Sequence, residues 1–178
     1  MIRFSEDVNL TLNRSLTLDA PILNTDDATV RLNAAYVALG STDTRFRLDG
    51  SAPLDGGGTV QADPSGGNGR LRIEAELIDL VGDAATQGFG TVANQPAVDL
   101  ISHGDIRLRG TRIKGETEWQ GSLRTGGDLR LQAQQVYPTT LSDFTLRVET
   151  PAGSPGDSGG TLDIRGQNGV PGQPLSVG

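Results

Sequence analysis

Three arginines, Arg72, Arg107 and Arg130, each stand between two apolar residues in a recurring stretch of chain: Leu71 and Ile73, Ile106 and Leu108, Leu129 and Leu131. The same place is taken by Thr17, Arg31 and Asp163 in related stretches. A residue flanked in this way on a half-buried strand points outward. If the stretches stack as neighbouring strands about 4.8 Å apart, the guanidinium groups form an outward ladder whose planar donors suit sulfates and carboxylates. Arg72, Arg107 and Arg130 are therefore the candidate ligand-binding residues, with a sulfated or acidic glycan as the ligand class. The plainer reading is a solvated face on which Glu74, Glu76, Asp105 and Asp128 balance the arginines, since exposed ion pairs of this kind contribute little.

Other reactive residue types are sparse. Carboxylates occur in pairs, Glu6 with Asp7, Asp26 with Asp27, Glu74 with Glu76 and Glu116 with Glu118. One carboxyl of such a pair can donate a proton while the other activates water in glycoside hydrolysis, provided both share a face. For Glu74 and Glu76 the intervening Ala75 predicts a bend, so solvation and edge protection are the expected roles. His103, the sole histidine, precedes Gly104 and Asp105 at a predicted turn, with no nucleophilic serine context and no second histidine to complete a metal site. There is no cysteine, which excludes disulfides and thiolate chemistry. The glycine-rich stretch from Gly153 to Gly160 lacks the lysine and following helix of a phosphate loop. No catalytic residue, metal site or cofactor is expected.

The elements that would position the arginines are short strands. The pattern apolar, any, apolar, any, small, then apolar three positions later runs through Val30, Leu32, Ala34 and Val37; Leu71, Ile73, Ala75 and Ile78; and Leu129, Leu131, Ala133 and Val136. It also fits Leu16, Leu18, Ala20 and Leu23, and Ile106, Leu108, Gly110 and Ile113, with a shortened copy at Leu162, Ile164 and Gly166. Period-two apolar residues mark strands, and the small residue lets the backbone turn inward. Weaker copies lie at Phe46, Leu48 and Gly50 and at Phe144, Leu146 and Val148. Counted from the first apolar residue of each copy, the mean repeat is about 21 residues, the length of a solenoid unit. An all-β parallel β-helix with loop insertions is the predicted fold, and an antiparallel β-sandwich is the alternative. Residues 1–150 are read as rungs with an insertion near 82–97, where Gly82 to Gly90 leave the stack as a loop or side hairpin. Residues 151–178 are read as a glycine- and proline-rich tail, with a terminal strand expected at 161–165. Leu18, Leu32, Ile73, Leu108, Leu131 and Ile164 are predicted to share one core.

Composition agrees with a narrow core. Apolar residues make up 35% of the 178-residue chain and aromatic residues 4%, too few to fill a round interior but enough for thin stacked layers. A net charge of −7 argues against a nucleic-acid partner. No run approaches transmembrane length, and residues 1–20 carry no apolar leader. The strand pattern is already present at Val8, so the chain is read as an internal segment of a longer protein.

The segments Leu18 to Leu39, Gly104 to Thr111 and Gly127 to Phe144 resemble the repeat region of filamentous haemagglutinin family exoproteins. These are large Gram-negative surface adhesins and contact-dependent inhibition effectors, exported by two-partner secretion and built as right-handed parallel β-helices. The family's amino-terminal secretion domain carries Asn-Pro-Asn motifs, and none occurs here. The resemblance implies a downstream, non-enzymatic structural or adhesive segment of a secreted surface filament. Its partners would be a glycan or receptor on host cells or neighbouring bacteria, with an outer-membrane secretion partner for the full-length protein. The alternative function is a β-helix carbohydrate-active enzyme using surface carboxylates.

Overall fold

The computed structural model describes residues 1–25, 27–43, 67–90, 95–112, 117, 119–149 and 160–167. Among these the chain is all-β, with no α-helix. Its strands are β1 (Ile2–Phe4), β2 (Val8–Thr11), β3 (Ser15–Asp19), β4 (Ile22–Thr25), β5 (Thr29–Ser41), β6 (Arg70–Gln87) and β7 (Val98–Ser102). They continue as β8 (Asp105–Arg109), β9 (Thr111–Arg112), β10 (Trp119–Gly126), β11 (Leu129–Gln132), β12 (Gln135–Pro138), β13 (Ser142–Glu149) and β14 (Leu162–Arg165).

Pairing is parallel throughout except between β9 and β10, which run antiparallel. That overturns the antiparallel sandwich, because paired strands run parallel even where they are consecutive in the chain, as in β5 with β6 and β6 with β7. Three parallel stacks result. The first runs β2, the first half of β5, the first half of β6, β7, β11 and β14. The second runs β3, the second half of β5, the middle of β6, β8 and β12. The third runs β1, β4, the end of β6, β10 and β13.

Alternation along each strand fills the space between the stacks. On the first stack Leu10, Leu32, Ile73, Leu100, Leu131 and Ile164 lie in one column, and on the second Leu18, Leu39, Leu80 and Leu108 do the same. Leu23 and Leu123 of the third stack join them in a single aliphatic core. The six leucines and isoleucines expected to share that core thus divide between two stacks, and five of them are buried. Ile164 is the exception at 44% exposure, because β14 ends its stack among the described strands and has a neighbour only on the β11 side.

The corner between the first two stacks explains the three-residue step after the small residue. Val30, Leu32 and Ala34 point inward, Ala35 and Tyr36 both point outward, and Val37 and Leu39 point inward again. β6 repeats the slip with Glu76 and Leu77. Strand pairing skips Ala35 and Glu76 and then resumes, so β5 and β6 pass through the corner unbroken. The small column Ala34, Ala75 and Ser102 keeps the inside of the bend free of bulk. A second corner uses glycine: Gly40, at φ 136°, lies so close to β6 that a Cβ would meet the Val81 carbonyl oxygen at 2.0 Å.

Three expectations are corrected by this register. The copies beginning at residues 16 and 106 belong to the second stack, and those beginning at 30, 71, 129 and 162 to the first, so the 21-residue mean mixed two faces. The real interval on the first stack runs from 22 residues, Val8 to Val30, to 41, Val30 to Leu71. The copy at Phe144 to Val148 lies in the third stack. The insertion near 82–97 is also displaced: Gly82 to Gln87 continue β6, where Ala84 to Gln87 bring it alongside β4 and β10. Gly82 adopts φ 56° beside the Ser41 carbonyl and turns the strand into the third stack instead of out of the fold. Residues 91–94 lie outside the described residues, as do the weak copy at Phe46, Leu48 and Gly50 and tail positions 151–159 and 168–178. The strand expected at 161–165 is β14.

Candidate functional site

Register decides which arginines meet. The outward column of the first stack reads Asn9, Arg31, Arg72, Asp99, Arg130 and Asp163. Arg72 and Arg130 are therefore not adjacent: Asp99 lies between them and is buried at the foot of both. It accepts two hydrogen bonds from Arg130, from Nε at 2.8 Å and Nη2 at 2.5 Å, and one from Arg72 Nη1 at 3.2 Å. The Asp99 hydrogen bonds, opposed by burial, raise the Arg130 pKa. Arg107 belongs elsewhere, in the second-stack column Thr17, Ala38, Asp79, Arg107 and Tyr137. The proposed triad of Arg72, Arg107 and Arg130 is thus split between two faces.

Arg107 serves a buried carboxylate. The Asp79 side chain is fully buried and takes Arg107 Nε at 2.6 Å and Nη2 at 2.8 Å, Arg109 Nη1 at 2.7 Å and the Tyr36 hydroxyl at 2.8 Å. Burial disfavours its charge, but the donated hydrogen bonds outweigh burial and hold the Asp79 pKa below the ordinary carboxylate value. Tyr36 moves the other way, its pKa raised by burial and by its bond to the Asp79 carboxylate. Both side-chain oxygens of Asp79 accept hydrogen bonds, and the side chain is closed to solvent. Its role is to tie β5, β6 and β8 together.

The first stack nevertheless forms a basic groove of about 430 Å³, lined by Arg31, Arg70, Arg72 and Arg130 with Asp99 at its floor and Gln95 and Pro96 on one wall. Arg70 is two positions before Arg72 on the same outward side of β6, opposite Thr29 of β5. Its Nη1 donates to the neutral Gln95 side chain, so this contact leaves the charge uncompensated. Arg72 is divided between Asp99 and Glu74, whose Oε2 lies 3.0 Å from Nη2. Arg31 is exposed and has no ion pair among the described residues. Sequence reasoning weighed Arg31 only as part of a column and missed Arg70. The period-two rule carried the signal, since Arg70, Arg72 and Glu74 share one parity.

A second groove, about 530 Å³, lies over the corner and is lined by Glu74, Glu76 and His103 among others. The predicted bend at Ala75 does not separate the two acids: Ala75 points inward and both acids reach the outer side. Glu74 receives the Arg72 hydrogen bond and lies 3.2 Å from His103 Nε2, and its pKa is lowered chiefly by Arg72, with burial opposing and His103 assisting. That favours a standing carboxylate over a proton donor. Among the described residues no group of three histidine, cysteine or acidic side chains could hold a metal ion, and no helix is long and apolar enough to cross a membrane. Glu116, Glu118 and Asp26 lie outside the described residues. No family model, curated protein or solved structure matches the chain.

Proposed function

We propose that the chain is a non-enzymatic structural or adhesive segment of a large secreted bacterial surface protein, folded as a right-handed parallel β-helix. The observation that carries this reading is the path of the chain: among the described strands, β2–β3–β4, β6 and β7–β8–β10 each pass through the first, second and third stacks in turn before the chain returns to the first, while β5 serves the first two and β4 pairs directly with β6. Such a path suits a rod whose strands satisfy each other's backbone groups and whose thin aliphatic core extends by adding circuits. The resemblance to filamentous haemagglutinin exoproteins supports the surface location, the outer-membrane secretion partner and a glycan or receptor on host or bacterial cells. Adhesin and contact-dependent inhibition effector use such a rod in the same way, to hold a binding surface away from the cell. In-frame removal of these residues from the native protein in its producing bacterium should reduce adherence or target-cell contact while export continues. Unchanged contact with normal export would overturn the adhesive reading.

Glu74 and Glu76 over one groove keep an enzymatic reading in view. Reducing-end release from polysaccharides by the purified chain, abolished by Glu76→Gln in a protein of unchanged melting temperature, would establish it. No turnover is expected.

A further inference from the structure

On the described surface, arginines facing a neighbouring strand meet acids: Arg72 and Arg130 meet Asp99, Arg107 and Arg109 meet Asp79, and Arg124 and Arg147 approach Glu149. The outer face over β5 and β6 departs from this, not in having opposed arginines, since Arg124 and Arg147 are opposed too and share Glu149, but in leaving Arg31 with no ion pair among the described residues. Arg31 is directly opposite Arg72, so two like charges occupy adjacent strands about 4.8 Å apart, an arrangement that costs stability. Arg70 adds a third guanidinium to the same groove, and Arg130 a fourth. Against four positive charges the lining holds one negative, Asp99, already engaged by Arg130 and Arg72. Glu74 neutralises part of Arg72. Asp7 also lies near one end, where its Oδ1 accepts from the Thr29 backbone N–H at 2.8 Å. A neutral N–H leaves the Asp7 charge in place, so the excess is that of Arg31, opposite Arg72 on β5, and Arg70, two positions before it on β6, less the Asp7 carboxylate.

We propose that this groove binds a linear acidic polysaccharide through its carboxylates, with successive carboxylates at Arg31 and at Arg72 directly opposite it on the next strand, and with Arg70, two positions along β6 from Arg72, adding a further contact. The fork of each guanidinium suits a carboxylate bidentately. A strand spacing of about 4.8 Å is close to the length of one sugar residue, so successive uronates along a chain meet successive strands. Nucleic acid fits less well: among the described residues no aromatic side chain lines the groove to stack a base, and its dense charge would meet the repulsion of a chain with net charge −7. The biological use of the groove rests on the adhesive reading above, but the binding itself does not.

The test is titration of the purified chain with polygalacturonate oligomers by calorimetry, at about 50 mM and about 300 mM salt, with binding expected to weaken at the higher salt. The double variant Arg31→Ser, Arg70→Ser should bind at least about tenfold more weakly, through loss of two charge-assisted contacts. The double variant Arg14→Ser, Arg147→Ser, which removes two exposed arginines elsewhere, should bind like wild type. Arg31→Lys with Arg70→Lys keeps the charge, removes the fork and should fall between. Melting curves establish that each variant is folded. Equal weakening in both serine variants, or no measurable binding by wild type at the lower salt, would overturn the site. Tighter binding of heparin or polyphosphate, with the same loss in the Arg31 and Arg70 variant, would overturn the carboxylate assignment. Polygalacturonate binding that survives while adherence is unaffected by removal of the segment would leave the groove standing and remove only the adhesive role.

Discussion

Asp79 is the residue whose chemistry is most constrained by its surroundings. Three donor side chains from two strands, β5 and β8, converge on one buried carboxylate of β6, so each partner's placement depends on the others. Asp79→Asn removes the charge and leaves Arg107 and Arg109 facing an amide. A loss of about 2–3 kcal/mol at neutral pH is expected, below the cost of breaking a fully buried pair because both arginines reach water. The sign of its pH dependence follows from the lowered pKa. Asp79 stabilises the fold fully above its unfolded value of about 4, and that contribution disappears as pH falls through the depressed folded value. Urea midpoints of wild type and Asp79→Asn should therefore differ at pH 7 and converge in strong acid. A constant difference across that range would remove the carboxylate as the cause.

Among elements, β5 and β6 carry the architecture, since each crosses a corner without breaking and together they contribute to all three stacks. Two corners use two devices, a slip of inward parity at Ala35 and Glu76 and a close glycine approach at Gly40. Gly40→Ala should cost more than about 2 kcal/mol, because both the positive φ and the Val81 carbonyl oppose a methyl group. Thermal unfolding close to wild type would mean that the corner can relax. Burial varies along the stack in a way that the sequence pattern does not. Leu131 and Leu162 lie at alternating apolar positions of the paired strands β11 and β14, yet Leu131 is fully buried and Leu162 is 41% exposed. Leu131→Ala should cost about 2–5 kcal/mol and Leu162→Ala under about 1 kcal/mol, measured by equilibrium unfolding. Similar losses at both positions would mean that further apolar surface covers β14.

At the scale of the whole molecule, each strand is stabilised mainly by the strands next to it in its stack, so stability should be graded along the stacking direction. Amides of β5 and β6, with parallel neighbours on both sides, should exchange with deuterium most slowly. Those of β1 and β14 should exchange fastest. Uniform protection would instead indicate one cooperative unit, with ends as firmly held as the middle.

Sequence alone determined the strand content, the apolar alternation and the small residues at corners, because period-two burial and backbone clearance are local properties that a short stretch of residues specifies. Leu32, Ile73 and Leu131 were legible as core for that reason. The meeting of Asp99 with Arg72 and Arg130, the separation of Arg107 from both, and the pairing of Arg31 with Arg72 were decided only by tertiary structure. Local alternation distinguishes inside from outside but does not tell one outer face from another, and the corner slip changes parity without changing the look of the repeat. The assignment depends on how many residues separate paired strands, which varies from 22 to 41 between matching valine and leucine positions. The acids at 79 and 99 find their arginines across those unequal separations, where only the folded register brings them within hydrogen-bonding distance.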